Sequence, residues 1–73
     1  MKRYSVTAVI LEPRFKLTTC IIEADSAANA MRDMSKGNLD RHQVSRYEIY
    51  ELGEYWSYDK TGRLEYREGA MNR

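Results

Sequence analysis

From Tyr4 to Ile10 the chain alternates. Tyr4, Val6, Ala8 and Ile10 are apolar or aromatic, Ser5 and Thr7 separate them, and Val9 is the apolar exception. A period of two predicts a strand with one buried face. Glu12-Pro13-Arg14 interrupts the pattern, because proline has no N–H to give to a ladder. A second run follows from Phe15 to Ala24, rich in Thr18, Thr19, Ile21 and Ile22. β-Branched residues of this kind suit the pleated surface of a sheet. The short break between the runs predicts an antiparallel hairpin.

The period then lengthens. Ala27, Ala30, Met31 and Met34 recur at helical spacing and form a narrow apolar stripe. Ser26 is placed to cap the first turn with its hydroxyl, and Asp25 puts negative charge near the positive end of the helix dipole. Lys36 falls in the last turn and Gly37 just beyond it, as the predicted C′ residue. The spacing predicts a helix over 27–36, with a small-residue face that lets it lie close to a sheet. Asn38 to Gln43 is polar and reads as a loop.

Three shorter strands complete the pattern. Val44 to Leu52 is the third, with Tyr47 and Ile49 on one face and Tyr50 and Leu52 on the other; its alternation leaves open which face is buried. Gly53 ends or bulges it. Tyr55 to Tyr58 is the fourth. Asp59-Lys60-Thr61-Gly62 is a hairpin turn, since Asp bonds its own following backbone and Gly takes a positive φ. Arg63 to Arg67 is the fifth, with Leu64 and Tyr66 on one face. The order β-β-α-β-β-β predicts an α+β fold: an antiparallel sheet of four to five strands with one helix packed on one face.

The 73 residues predict a single domain, 1–73, in which 68–73 form a frayed tail. A chain this short buries about 60% of the surface that its unfolded form exposes. That allows a sheet and a helix, and no deep pocket of the enzyme kind. Lysines and arginines number 12 against 11 aspartates and glutamates, which argues against a strong nonspecific nucleic-acid binder. No run approaches the roughly 20 apolar residues that span a membrane. The N-terminal apolar run is too brief for a signal segment. Cys20 is the lone cysteine, and a reducing cytoplasm is the expected location.

Catalytic chemistry finds little support. His42 is the one histidine, has no cysteine near it in sequence, and reads as a solvated loop residue. No ligand spacing for a metal is recognisable, and no cofactor is expected. Cys20, set among Thr19, Ile21 and Ile22, reads as a small buried hydrophobe rather than a nucleophile, which prefers electropositive, partly exposed positions. Glu48, Glu51, Glu54, Glu65 and Glu68 alternate with arginines and read as cross-strand ion pairs. The four glycines are too scattered for a phosphate loop.

The distinctive feature is a cluster. Tyr47, Tyr50, Tyr55, Trp56, Tyr58 and Tyr66 are six of the eight aromatic residues, and Arg46, Lys60, Arg63 and Arg67 lie among them. A small core has room for only some of these rings. Amphipathic aromatics beside arginine are the residues of binding hot spots. The expected partner-binding residues are Tyr50, Trp56 and Tyr58 as anchors, ringed by Arg46, Lys60, Arg63 and Arg67. A single-strand nucleic-acid platform uses the same residue types, but Glu48, Glu51, Glu54 and Asp59 would repel phosphates. A homodimer is a further expectation, from the edge strands and the tyrosine face, because small domains gain stability by pairing.

A hairpin, then IIEADSAANAMRDMSKG, then strands and YDKTGRLEY, resembles small phage and mobile-element proteins, and among them type I-F anti-CRISPR proteins of β-β-α-β-β design. The resemblance is architectural and covers most of the chain. It implies a non-enzymatic inhibitor that binds a host nucleoprotein defence complex and blocks hybridisation to target DNA. It also implies contacts through exposed lysines, for which Lys16, Lys36 and Lys60 are the candidates. The chain departs from that class in its wealth of aromatics and its longer C-terminal hairpin.

Overall fold

The computed structural model describes residues 1–37 and 41–69. Five strands and one helix follow in the order β1 (Lys2–Ile10), β2 (Lys16–Ala24), α1 (Ala27–Gly37), β3 (Val44–Glu51), β4 (Glu54–Asp59) and β5 (Leu64–Gly69), with a 3₁₀ turn at Arg41–Gln43. The fold is α+β, as the periodicity predicts. The strands form one antiparallel sheet in the order β2-β1-β3-β4-β5. The hairpin β1–β2 thus sits on one side of β3, and the meander β3–β4–β5 continues on the other.

Register decides which residues share a face. Val6 pairs with Cys20 and with Ile49, Ala8 with Thr18 and Tyr47, and Ile49 and Tyr47 pair in turn with Trp56 and Tyr58. These residues lie on the face that α1 covers. The helix turns Ala27, Ala30, Met31 and Met34 onto them, and all four are buried. Ser26 caps it: its Oγ accepts the Asn29 N–H at 3.2 Å, and its carbonyl accepts the Ala30 N–H at 3.0 Å. Gly37 is the last helical residue rather than a left-handed cap beyond it.

The helix packs mainly on β2, β1 and β3. Beyond it, the sheet covers itself with large rings. Trp56 and Tyr58 on β4 are buried, and Tyr4 meets Trp56 edge to face with centroids 5.7 Å apart and planes at 70°, a geometry that contributes about 0.5–1.5 kcal/mol beyond area burial. Arg67, paired with Trp56 across β4–β5, holds its guanidinium 5.8 Å from the indole and bridges to Glu54 at 3.3 Å.

Several expectations are corrected. Cys20 is exposed, not buried, because β2 is an edge strand and the core stops at Ile22 and Ala24. Leu64 and Tyr66 lie on opposite faces: a register shift sets Leu64 opposite Tyr58 and Tyr66 opposite Ser57, and such an extra residue reverses the alternation. Glu68 and Gly69 belong to β5 rather than to a tail, and Arg41–Gln43 of the expected loop form the 3₁₀ turn, while the rest of that expectation, 38–40, and residues 70–73 lie outside the described residues.

Two turns close the meander. Leu52 and Gly53 both take positive φ, 41° and 85°, the signature of a two-residue hairpin turn whose twist matches its strands. At the other end, the Asp59 carboxylate accepts the Thr61 N–H at 2.9 Å, the Thr61 hydroxyl and the Arg63 N–H at 3.0 Å. Gly62, at φ 90°, leaves room for the Met31 methyl, which would stand 3.1 Å from an added Cβ. The turn is thereby fastened to the helix.

Two outcomes follow from this packing. Trp56→Ala, which removes a ring that closes the core beyond the helix, is expected to destabilise the domain by about 3–5 kcal/mol, measured by urea unfolding. The hydrogen bond from Thr61, then the Arg63 amide, hold the Asp59 carboxyl below its usual range. A folded-state pKa below the unfolded value gives stability that is complete above the unfolded value and lost as pH falls through the folded one. Asp59→Asn should therefore lower the melting temperature at neutral pH and flatten its acid limb; an unchanged acid limb would remove Asp59 as its source.

Candidate functional site

The register that buries one face leaves the other without a covering layer among the described residues. Arg3, Ser5, Thr7 and Val9 of β1 pair with Glu23, Ile21, Thr19 and Leu17 of β2. Ser5, Thr7 and Val9 pair on their other side with Tyr50, Glu48 and Arg46, which pair with Tyr55, Ser57 and Asp59. Glu68 and Tyr66 of β5 complete the row. Antiparallel sheets keep one face solvated when its residues are polar. This one alternates threonines, ion pairs and tyrosines.

Tyr50, Tyr55 and Tyr66 form a stripe across β3, β4 and β5. Tyr50 stands directly opposite Tyr55, with centroids 4.9 Å apart, and Tyr55 reaches Tyr66 at 5.9 Å. Tyr50 is 48% exposed and Tyr66 52%. Leu52, at the tip of the β3–β4 turn and 91% exposed, borders the same stripe, and with Tyr50, Tyr55 and Glu68 it lines a shallow groove.

Charge on this face is largely neutralised. Arg46 bridges Glu48 at 2.8 Å, and Arg3 bridges Glu23 at 3.2 Å. The hydrogen bond to Glu48 raises the Arg46 pKa further. The Tyr66 hydroxyl donates to Glu68 at 2.9 Å. That bond, and then the carboxylate's charge, push the Tyr66 phenol up, while burial and then Glu48 push up that of Tyr50. Against Arg3 and Arg46 stand Glu23, Glu48, Asp59 and Glu68, so the tyrosines look out over a surface with no surplus of positive charge.

The residues expected at one binding surface separate into four places. Tyr50 and Arg46 are on the open face. Trp56 and Tyr58, expected as exposed anchors, are buried on the opposite face, because they share a strand alternation with the core pairs Ile49 and Tyr47; Arg67 sits above Trp56 on that face. Lys36 and Lys60 line a groove between the end of α1 and the β4–β5 turn, together with Arg32 and Gly62, and Arg63 closes that turn. Lys16 opens β2, far along the sheet from the tyrosines. Tyr55 and Tyr66 were absent from the expected anchors. Their signal is register: only the pairing of β3 with β4 and β5 shows that they share a face with Tyr50.

Among the described residues no group of three or more His, Cys, Asp or Glu side chains is arranged to hold a metal ion, and no helix is long and apolar enough to cross a membrane. Comparison with protein-family models, with curated proteins and with solved structures found no match.

The phenol of Tyr66 reports on the stripe. Its folded-state pKa is raised, so its contribution to stability is present below the unfolded value and lost as pH rises through the folded one. Glu68→Gln removes the charge that holds the proton on. Tyr66 is expected to ionise at lower pH in that variant, read from its ring resonances by NMR; an unchanged midpoint would mean that Glu68 does not hold the hydroxyl in solution.

Proposed function

We propose that this domain is a non-enzymatic binding protein that docks a protein partner through the tyrosine stripe of Tyr50, Tyr55 and Tyr66, extended by Leu52 at the hairpin tip. The observation that carries this reading is the position of the stripe: three contacting rings lie on a sheet face that no element of the described residues covers. Tyrosine brings large rigid area at little entropic cost and keeps a hydroxyl for hydrogen bonding. Leucine with positive φ and full exposure is unfavourable on both counts for the free domain, which points to use in contact.

The charge balance favours a protein over a nucleic acid. A stacking platform needs cations that track phosphates, and here both arginines of the open face are engaged by carboxylates. On the resemblance to small inhibitors of mobile elements, the partner is a host nucleoprotein defence complex, bound at its protein surface so that its nucleic-acid target is excluded. The lysine groove at Lys36 and Lys60 would then serve as a secondary contact at the edge of the interface.

A tagged pull-down from bacterial lysate, with and without nuclease, tests the class of partner. A protein complex retained after nuclease treatment is expected; retention lost with nuclease would move the function to nucleic acid. The combined change Tyr50→Ala and Tyr66→Ala, at half-exposed positions, should leave the circular dichroism spectrum intact and weaken binding of that complex by roughly 100-fold. Binding at wild-type strength by this folded variant would remove the stripe as the site.

A further inference from the structure

The two edges of the sheet are built differently. β5 is six residues, LEYREG, with Glu65, Arg67 and Glu68 in it and a register shift against β4. Charge, shortness and a bulge are devices by which an edge resists pairing with another strand. β2 has none of them in its middle. It is nine residues long, pairs with β1 without a register shift, and runs uncharged from Leu17 to Ile22. Within that run Leu17 is 54% exposed and Ile21 66%, and Cys20 is exposed as well. β-Branched residues fill it, and no proline interrupts it. A long, regular, apolar edge of this kind leaves half of its N–H and C=O groups aimed outward as a template.

We infer that β2 pairs with β2 of a second copy of this chain, antiparallel about a two-fold axis at Thr19, to make one continuous ten-stranded sheet. The residues choose the axis. A two-fold perpendicular to the sheet keeps the same face outward in both copies, so paired residues must come from one face of β2. Centred on Thr19, the open face matches Leu17 with Ile21 of the second copy, twice, and Thr19 with its own equivalent. The other face matches Thr18 with Cys20 and Lys16 with Ile22. No like charges meet. Centred on Cys20 instead, Leu17 would stand opposite Glu23 inside the strand, an apolar side chain against a carboxylate already held by Arg3, whereas the Thr19 axis sets Glu23 opposite Phe15, beyond the end of β2.

A second observation fits the Thr19 axis. Thr7 and Thr19 already share a hydrogen bond at 2.8 Å between hydroxyls on the open face. A hydroxyl donates once and accepts twice. Pairing Thr19 with its own equivalent therefore extends this bond into a row of four hydroxyls across the junction, in which each of the two inner hydroxyls donates to one neighbour and accepts from the other. The exposed Leu17 and Ile21 of both copies become contiguous around that row. An edge pairing of this length buries less than a standard interface, so the expected dissociation constant is micromolar. The tyrosine stripe lies on β3 to β5 and stays free in the dimer, so this inference does not depend on the proposed partner.

Sedimentation equilibrium from low micromolar to millimolar concentration tests it, with a doubling of mass expected. Hydrogen exchange should show the β2 amides slowing as concentration rises. Thr19→Cys in a Cys20→Ser background should cross-link under mild oxidation. Cys20 of the wild type should not, because residues diagonal to one another lie about 7–8 Å apart, beyond disulfide reach. Ile21→Lys, at an exposed position, should give a folded monomer, and Leu17→Lys serves the same purpose if the first variant fails to fold. A monomer at millimolar concentration would overturn the proposal, as would efficient cross-linking through Cys20 or a dimer that survives both lysine variants. The Tyr50 and Tyr66 double variant should dimerise as the wild type does, which separates failure here from failure of the tyrosine site.

Discussion

One helix of 11 residues has to cover a sheet of five strands, and the rest of the molecule follows from that mismatch. A helix is about 10 Å across and strands lie about 4.8 Å apart, so it shields two or three strands at most. It lies over β2, β1 and β3, and its alanines bring it close enough to bury Val6, Ala8 and Ile49 completely. What remains of that face, on β4, is closed by no second helix among the described residues. Trp56, Tyr58 and Tyr4 close it with their own rings. Among the described residues no helix or strand is layered on the opposite face.

This division explains the aromatic cluster. The strand alternation of β3 and β4, with the bulge in β5, sorts six rings into two sets. Tyr47, Trp56 and Tyr58 go to the core, and Tyr50, Tyr55 and Tyr66 to the open face. The first set is needed because the domain is small; the second has no structural need of comparable weight. A tyrosine pair across strands contributes a few tenths to about 1 kcal/mol, whereas a buried tryptophan carries several times that. Three rings in contact on the open face, two of them about half-exposed, are thus weak stabilisers and strong candidates for recognition.

The elements were legible because their signals are local. Alternation marked β1, the alanine and methionine stripe with Ser26 marked α1, and Asp59 to Gly62 marked the last turn. The division of the rings was not legible, because it depends on pairing between strands. Trp56 follows Tyr55 directly, and nothing local says which of the two faces the helix. Tyr47 and Tyr50 were known to lie on opposite faces, yet which face is buried is set by Ala8 and Ile10 on a strand some forty residues earlier in sequence. The bulge within β5 was invisible for a related reason: Leu64-Glu65-Tyr66 alternates regularly, and only its partner Ser57-Tyr58 shows the extra residue. Cys20 misled because its neighbours are apolar, while its exposure comes from lying at the sheet's edge.

The same mismatch shapes the edges. The helix leans toward β2 and buries Ala24 and part of Ile22, and β2 pairs with β1 along all nine of its residues without a register shift. Its outer hydrogen-bonding groups are therefore aligned, as those of a central strand are. β5 has no helix above it; a bulge bends it, and charges punctuate it. An edge that is ordered by its own core and left apolar stands ready to pair, whereas an edge that is bent and charged resists pairing. Order and openness on one side, with protection on the other, give the sheet a direction of growth that stops after a single partner. A β2–β2 pairing uses up the open edge of both copies and leaves only the two protected edges outside.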